Sequence, residues 1–553
     1  MSPAVGLMVA AAIVSAWGQA GTLCRRLAPP NYADGISRIV AGPSPRRVSN
    51  RIFNDLGQNV FSENELSQWP WTWGQFVDHD MELDDERPAE SAPIAFDASD
   101  PLETYRDDLG VIDFARTPAA PGTGIATPRQ QVNLQTSYID ASQVYGTSAA
   151  RLRWLREGAR LLLPDGYLPR AGVKPGAPAM DSFGPQPGRI AGDVRANENI
   201  ALTATQTLFA REHNRIVARL PRRLSADARF RIARRVVAAE IQFITYREFL
   251  PALGVRLPRY RGYRPGVDPA IADEFATVGY RMHSMVHGEF EPIVHGRKLV
   301  VPLSMSFGNP DALQRIGLGP LLASLGAESQ YRNDEQIDNS LRSVLFELPK
   351  PGVTDPDACG TPVIDADCYT EVSDLGAMDI ERGRDHGMPF YNTLRRAYGL
   401  PPKRSFTAIT GERSETLPPG AIDDPHSLDF ISLTDRAGRP VKLDADGAVH
   451  DVRRTTLAGR LKALYGNVDR LDPFVGMLAE RHLPGSDLGE LQHAILLRQF
   501  TAVRDGDPRF YATDRALPTI ARRYGITYRH TLAQIIRMDT GAAVPGDVFK
   551  AAD

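Results

Sequence analysis

Residues 69–83 read W-P-W-T-W-G-Q-F-V-D-H-D-M-E-L, and the spacing of their side chains predicts a helix. Trp69, Trp73, Phe76 and Val77 fall at i, i+4, i+7 and i+8 and make an apolar stripe. Beside the stripe, Gln75 and His79 stand four residues apart and Asp78 follows Gln75 by three, so an amide, a carboxylate and an imidazole crowd one patch. Asp80 points about 100° away from His79 and is free to serve another site. Alone, Asp-His-Asp is a weak signal, because a helix end with solvated carboxylates and a capped histidine has the same letters.

The rest of the chain bounds the answer. Its 553 residues carry 64 basic and 67 acidic side chains, so no overall field favours nucleic acid or an anionic membrane. Three cysteines are too few for a disulfide framework. Cys359 and Cys368 bracket a short loop that they either close in an oxidising compartment or flank as free thiols; Cys24 is left over. Val5 to Trp17 is an apolar run followed by Gly-Gln-Ala-Gly, without a basic start. Residues 1–23 therefore read as a secretory signal or as an uncleaved apolar arm, with residues 24–553 as one domain. Secretion or a periplasmic location is the expectation. No apolar run is long enough to predict a stable membrane span.

From Asp84 to Arg129 no period holds and a long loop is predicted. Thr136 to Thr147, T-S-Y-I-D-A-S-Q-V-Y-G-T, sets Thr136, Tyr138, Asp140 and Ser142 along one side. These oxygens suit a hard cation or an ordinary turn with local hydrogen bonds. In G-D-V-R-A-N-E-N-I, Arg195 and Glu198 share a face, as a surface ion pair also would. Helices are predicted through Phe209, His213, Ile216, Val217 and Leu220 up to Pro221, and from about Ala226 to Leu250. A further helix is predicted from Asp268 as N-cap, with Ile271, Phe275, Val278, Met282 and Met285 as its stripe and His283 just off it. The stretch P-V-K-L-D-A-D-G-A-V-H-D predicts a small hairpin turning at Asp446-Gly447.

W-G-Q-x-x-D-H-D, the oxygen-rich loop, the Arg/Glu pair, a following His and S-D-L-G-A-M-D-I-E-R-G-R-D-H-G-M-P-F-Y-N, from Ser373, occur in that order. Over roughly residues 28–542 the chain resembles the animal-type haem peroxidases of the peroxidase-cyclooxygenase superfamily. The resemblance implies a mainly α, large single-domain fold with long irregular loops and little β structure, binding haem b and calcium. It implies a reaction in which hydrogen peroxide oxidises halides, thiocyanate or small aromatic donors through a high-valent iron intermediate. His79 would be the general acid/base, Arg195 the distal arginine, and Gln75 a holder of water or halide. His283 would ligate the iron, with His287 as the fallback. Asp379 would accept from the ligand's other nitrogen, and Arg382 would face the propionates. Asp78 and Glu198 match the carboxylates that form esters with haem methyls. Asp80, Thr136, Tyr138, Asp140 and Ser142 match the calcium ligands.

Three departures qualify the resemblance. The family usually places Asn where Asp379 stands; a carboxylate is the stronger acceptor and predicts a lower reduction potential. The chloride-oxidising members carry Met just after the ester glutamate, joined to haem as a sulfonium; Asn199 stands here, so that link cannot form. Three residues before His283 is Tyr280 instead of the usual Arg, a spelling similar to that of the fatty-acid dioxygenase and cyclooxygenase branch. A dioxygenase with Tyr280 as radical tyrosine is therefore the second reading. A third is a haem-free calcium-binding adhesion protein.

Overall fold

Trp69–Met81 is one helix (α1) in the computed structural model, which describes residues 19–551 except 86, 88–89, 104–109, 182–186, 344–349, 351, 354–367 and 370–371. Pro70 sits in its first turn, where a missing N–H costs nothing. The helix is enclosed on almost every side, with only Gln75 and Asp78 partly exposed. The predicted stripe is thus part of a helix buried all round. Trp73 meets Phe209 edge-on at 5.6 Å, and Phe76 stacks on Phe209 at 5.2 Å; such pairs add roughly 0.5–1.5 kcal/mol beyond area burial.

Phe209 belongs to α2 (Ile200–Arg219), whose first turn is capped by the Asn199 side chain accepting from Leu202 N. It packs against α3 (Ala226–Ile244), capped by Ser225. A π-helical turn, Thr245–Phe249, carries α3 on to Leu250–Ala252, close to the predicted end. Three later helices complete the frame: α4 (Leu375–Asp385), α5 (Glu490–Gly506) and α6 (Leu532–Thr540). Strands occur, among the described residues, only as two-stranded pairs. In the long loop after α1 they are Ile94–Ala95 with Val111–Ile112. The fold is mainly α, as expected. Residues 1–18 lie outside the described residues, and Thr22–Leu23 pair with Val132–Asn133.

Two expected elements differ. No helix starts at Asp268. Its carboxylate closes a turn on Ala270 N, and the next backbone groups bond to distant partners instead of to one another. Ile271 N donates to Ser137 Oγ and Ala272 N to Gln499 Oε1, while Arg25 N donates to Ile271 O. Helical geometry is limited to residues 273–279, mostly a π turn, Phe275–Gly279, and to a 3-10 turn, His283–Met285. The hairpin also forms elsewhere. β1 (Phe430–Thr434) pairs with β2 (His450–Arg453), and the tight turn is at 435–439, where Asp435 accepts from Arg439 N and Nε at 2.8 and 2.6 Å. Asp446-Gly447 lies in the excursion between the strands.

Candidate active site

One cavity of about 490 Å³ is lined by Gln75, Asp78 and His79 from α1, by Arg195 and Glu198, and by Tyr280, His283, Asp379 and Arg382. Its size is in the range of cofactor sites. Asp80 is turned away from it. The Asp80 carboxylate accepts from Ala141 N (2.9 Å), Ser142 N (2.5 Å) and Ser142 Oγ (2.7 Å), gripping a loop in which Ala141 is held at φ 66°, an uncommon region for a residue with a Cβ. Asp140 accepts from Ser142 N as well, at 3.0 Å, and Thr136 Oγ1 donates to Tyr138 O at 3.5 Å. Burial, then the charge of Asp140, pushes the Asp80 carboxyl well up; burial also pushes Asp140 up.

Arg195 and Glu198 stand in the turn ahead of α2. Gly192 starts that turn against the loop just described: a Cβ there would lie 2.5 Å from Gln143 O and 2.6 Å from Gly146 N and Ser142 O. Only glycine lets the two backbones approach so closely. Asp193 then accepts from Arg195 Nε and Nη2, both at 3.0 Å, and from Gln135 Nε2 at 2.8 Å. Arg195 Nη2 also donates to Glu82 O at 2.6 Å, and Nη1 lies 3.9 Å from Asp78 Oδ2. The guanidinium is fixed from three sides.

His79 sits between two carboxylates, with Nδ1 3.5 Å from Asp193 Oδ1 and Nε2 3.6 Å from Glu198 Oε2. Nδ1 is buried and makes no hydrogen bond. Burial, with the charge of Arg195, pulls His79 down to about 3, so the ring is neutral near pH 7. Burial pushes Glu198 up to about 8 and Asp78 up to about 6, in each case against the charge of Arg195. Burial alone would raise Asp193; Arg195 and His79 outweigh it and hold the carboxyl at about 2. Gln75 Nε2 donates to Glu198 Oε2 at 2.6 Å, and Gln75 Oε1 accepts from Asn199 Nδ2 at 2.8 Å. Asn199 therefore caps α2 and orients Gln75 together.

Across the cavity lining, His283 Nδ1 is 2.6 Å from Asp379 Oδ2, and α4, which carries Asp379, packs on the π turn before His283. Arg382 Nη1 donates to Ala115 O (3.0 Å) and Thr117 Oγ1 (2.9 Å), with its guanidinium 4.3 Å from the Phe114 ring centre. His287 is absent from this lining. It is a buried core histidine, 3.0 Å from Gln68 Nε2 and edge-on to Phe61 and Tyr331.

The sequence profile described as animal haem peroxidase matches residues 13–422 and 443–549. The chain belongs to the animal haem peroxidase family. The thyroid peroxidase of Canis lupus familiaris is 31% identical over 612 residues, covering 97% of this chain and 57% of that protein. Peroxidasin of Drosophila melanogaster is 30% identical over 566 residues, covering 90% of this chain and 32% of that protein. The chain thus spans less than two thirds of these relatives. Among solved structures, peroxidase A from Dictyostelium discoideum superposes with a TM-score of 0.77 at 27% identity, covering 97% of this chain and 96% of that one. The Oryza sativa fatty acid alpha-dioxygenase shares the fold, with a TM-score of 0.66 at 18% identity over 97% of this chain and 85% of that one.

The haem that this family implies fits the residues present. His283 has one ring nitrogen engaged by Asp379 and the other available to a metal, the His79 imidazole lines the same space, and Leu303, Phe307 and Met378 supply apolar wall. Two contributors escaped the sequence reading. Arg281 lines the cavity and donates from Nε to Ala276 O at 2.8 Å; its signal was a basic residue two before His283. Asp193, which joins Arg195 to His79, was announced only by an acid two before Arg195. Cys24 is buried and free. Cys368 is disulfide-bonded, whereas Cys359 lies outside the described residues.

Proposed function

We propose that the protein is a haem-dependent peroxidase that uses hydrogen peroxide to oxidise halides, thiocyanate or small aromatic donors. The carrying observation is a neutral His79 and a fixed Arg195 on the same cavity as the His283–Asp379 pair. Bound haem would supply the redox chemistry. His283 would hold it from one side, with Asp379 sharpening the imidazole as a ligand. His79, neutral and able to accept at Nε2, takes the proton from one peroxide oxygen and returns it to the other, so that water leaves. Arg195 faces the negative charge that develops on the departing oxygen, and Asp193 keeps the guanidinium from turning. Gln75 is positioned by Glu198 and Asn199 to hold water or halide. Asp78 and Glu198 are the carboxylates for ester links to haem.

Calcium is part of the proposal, held by Asp80 and Asp140 with Thr136, Tyr138 and Ser142. A buried carboxylate, Asp80, pushed up by burial and by the charge of the half-buried Asp140 favours a cation between the two. Its mechanical effect would be to brace the residue next to His79. A disulfide-bonded Cys368 suits a secreted or periplasmic location; among the described residues no helix is long and apolar enough to cross a membrane.

The test is oxidation of bromide or a phenol by the haem-loaded protein with peroxide, and its loss in His79→Ala with the Soret band kept. A second reading has one observation in its favour. The Tyr280 hydroxyl lines the cavity, buried and without a hydrogen-bond partner, as a radical tyrosine for fatty-acid dioxygenation would. Oxygen uptake with an unsaturated fatty acid, indifferent to halide and lost in Tyr280→Phe, would replace the peroxidase reading. Absence of any Soret band would replace both with a haem-free adhesion protein.

A further inference from the structure

Outside the haem cavity, a second group of ionisable side chains is buried where α2, α3 and the C-terminal helix α6 meet. Glu212 on α2 and Glu240 on α3 are both 0% exposed. Ligand atoms of Glu212, Glu240 and His530, which lies just ahead of α6, come within 4.8 Å of one another. Asp539, in the last turn of α6, joins them: its side chain is 5% exposed and Arg215 Nε lies 3.9 Å from its Oδ1. None of the four lines the haem cavity.

The charges do not balance within the group. Three carboxylates face one engaged guanidinium, since Arg215 donates to both oxygens of Glu212 at 2.6 and 2.5 Å. Arg211 donates to the backbone carbonyls of Gly166 and Asp539, and Arg219 to that of Gly525, so neither guanidinium hydrogen-bonds a carboxylate of the group. His530 Nδ1 lies 2.7 Å from Glu240 Oε1, and burial pulls this imidazole below its ordinary value, to the neutral form that binds metals. Glu240 Oε2 and Asp539 Oδ2 are buried and meet no N–H or hydroxyl donor; within the group both carboxyls face Glu212, carboxyl against carboxyl. Both carboxyls are pushed up, first by burial and then by the charge of Glu212, which they face. A buried carboxylate oxygen that meets no donor is costly unless a proton or a cation meets it.

We propose that Glu212, Glu240, Asp539 and His530 form a divalent-metal site that takes a first-row cation of the Mn²⁺ class. Three carboxylates against one guanidinium leave a charge that a divalent ion cancels. A mixed oxygen and imidazole-nitrogen donor set suits such an ion better than calcium or magnesium, which take oxygen alone. The site ties two core helices to the C-terminal helix and is separate from the loop that Asp80 of α1 grips.

The test uses the full-length, haem-loaded protein, with MnCl₂ as the probe. After incubation and desalting, metal analysis should find a Mn²⁺ equivalent in the wild type that Glu240→Gln lacks, with the Soret band unchanged. Any Mn²⁺ taken up at Asp80 is common to both proteins and cancels in the difference. Mn²⁺ should raise the melting temperature of the wild type and not that of the variant. His530→Gln should behave in the same way, and it decides the matter if Glu240→Gln does not fold. A wild type that retains no Mn²⁺, or variants that retain as much as the wild type, would overturn the proposal and leave the cluster closed by shared protons.

Discussion

The Nδ1 atom of His283 stands 2.6 Å from a carboxylate oxygen of Asp379. A charged acceptor draws the ring proton more strongly than an amide would, leaving the opposite nitrogen richer in electrons. Asp379→Asn should therefore raise the haem reduction potential. A difference of about 1 kcal/mol between a charged and a neutral acceptor corresponds to roughly 40–50 mV for a one-electron couple. Spectroelectrochemical titration of the two haem-loaded proteins checks it; an unchanged or lower potential would contradict it.

His79 should remain a competent base far into acid. Its folded value is lowered to about 3, so the neutral ring persists above that and is lost only as pH falls through it, whereas an ordinary histidine would protonate near 6.5. Stopped-flow rates of peroxide consumption should show no acid limb from His79 between about pH 7 and pH 5; a limb near 6 would belong to Asp78 and should vanish in Asp78→Asn. Glu198 loses its proton as pH rises through about 8, so any alkaline limb should vanish in Glu198→Gln. Replacing His79 with Ala should cost roughly 10²–10⁴-fold in that rate.

Gly192→Ala should damage both stability and activity. The added methyl meets three backbone atoms of residues 142–146, which cannot rotate aside as a side chain would. Overpacking of this kind costs roughly 1–3 kcal/mol, and the displaced Asp193 would release Arg195. A lowered melting temperature together with slower peroxide consumption is expected. A fall in stability alone would detach Asp193 from the chemistry.

With the proposed calcium site, chelation should loosen α1. With no cation, the buried Asp80 carries the charge of the half-buried Asp140 beside it, and the chelated protein should melt lower, most clearly above the ordinary carboxylate range, where both are driven to ionise. Asp80→Asn should abolish the response to added calcium. Thermal melts with chelator and with calcium restored give the comparison.

What was legible in the sequence was set by local spacing. The α1 stripe, the caps at Asn199 and Ser225 and the stop at Pro221 depend on neighbours within a turn or two. The segment before His283 has equally good helical spacing, yet it turns helical only over residues 273–279, because the N–H groups of Ile271 and Ala272, where the helix would start, are taken by Ser137 and Gln499, partners more than a hundred residues away. For the same reason Asp379 was found, through a motif that covers its whole helix, while the contact of Asp193 with His79 was not. That contact joins residues 79 and 193, and no local pattern marks it.

Asp78, His79 and Asp80 follow one another in the chain, yet they look in three directions: to the rim beside Arg195, into the cavity, and onto the loop that Ala141 bends. Since each step around a helix is about 100°, adding or deleting a single residue ahead of them would swing all three assignments together. A substitution in this stretch touches one assignment at a time, whereas a change of its length touches all three.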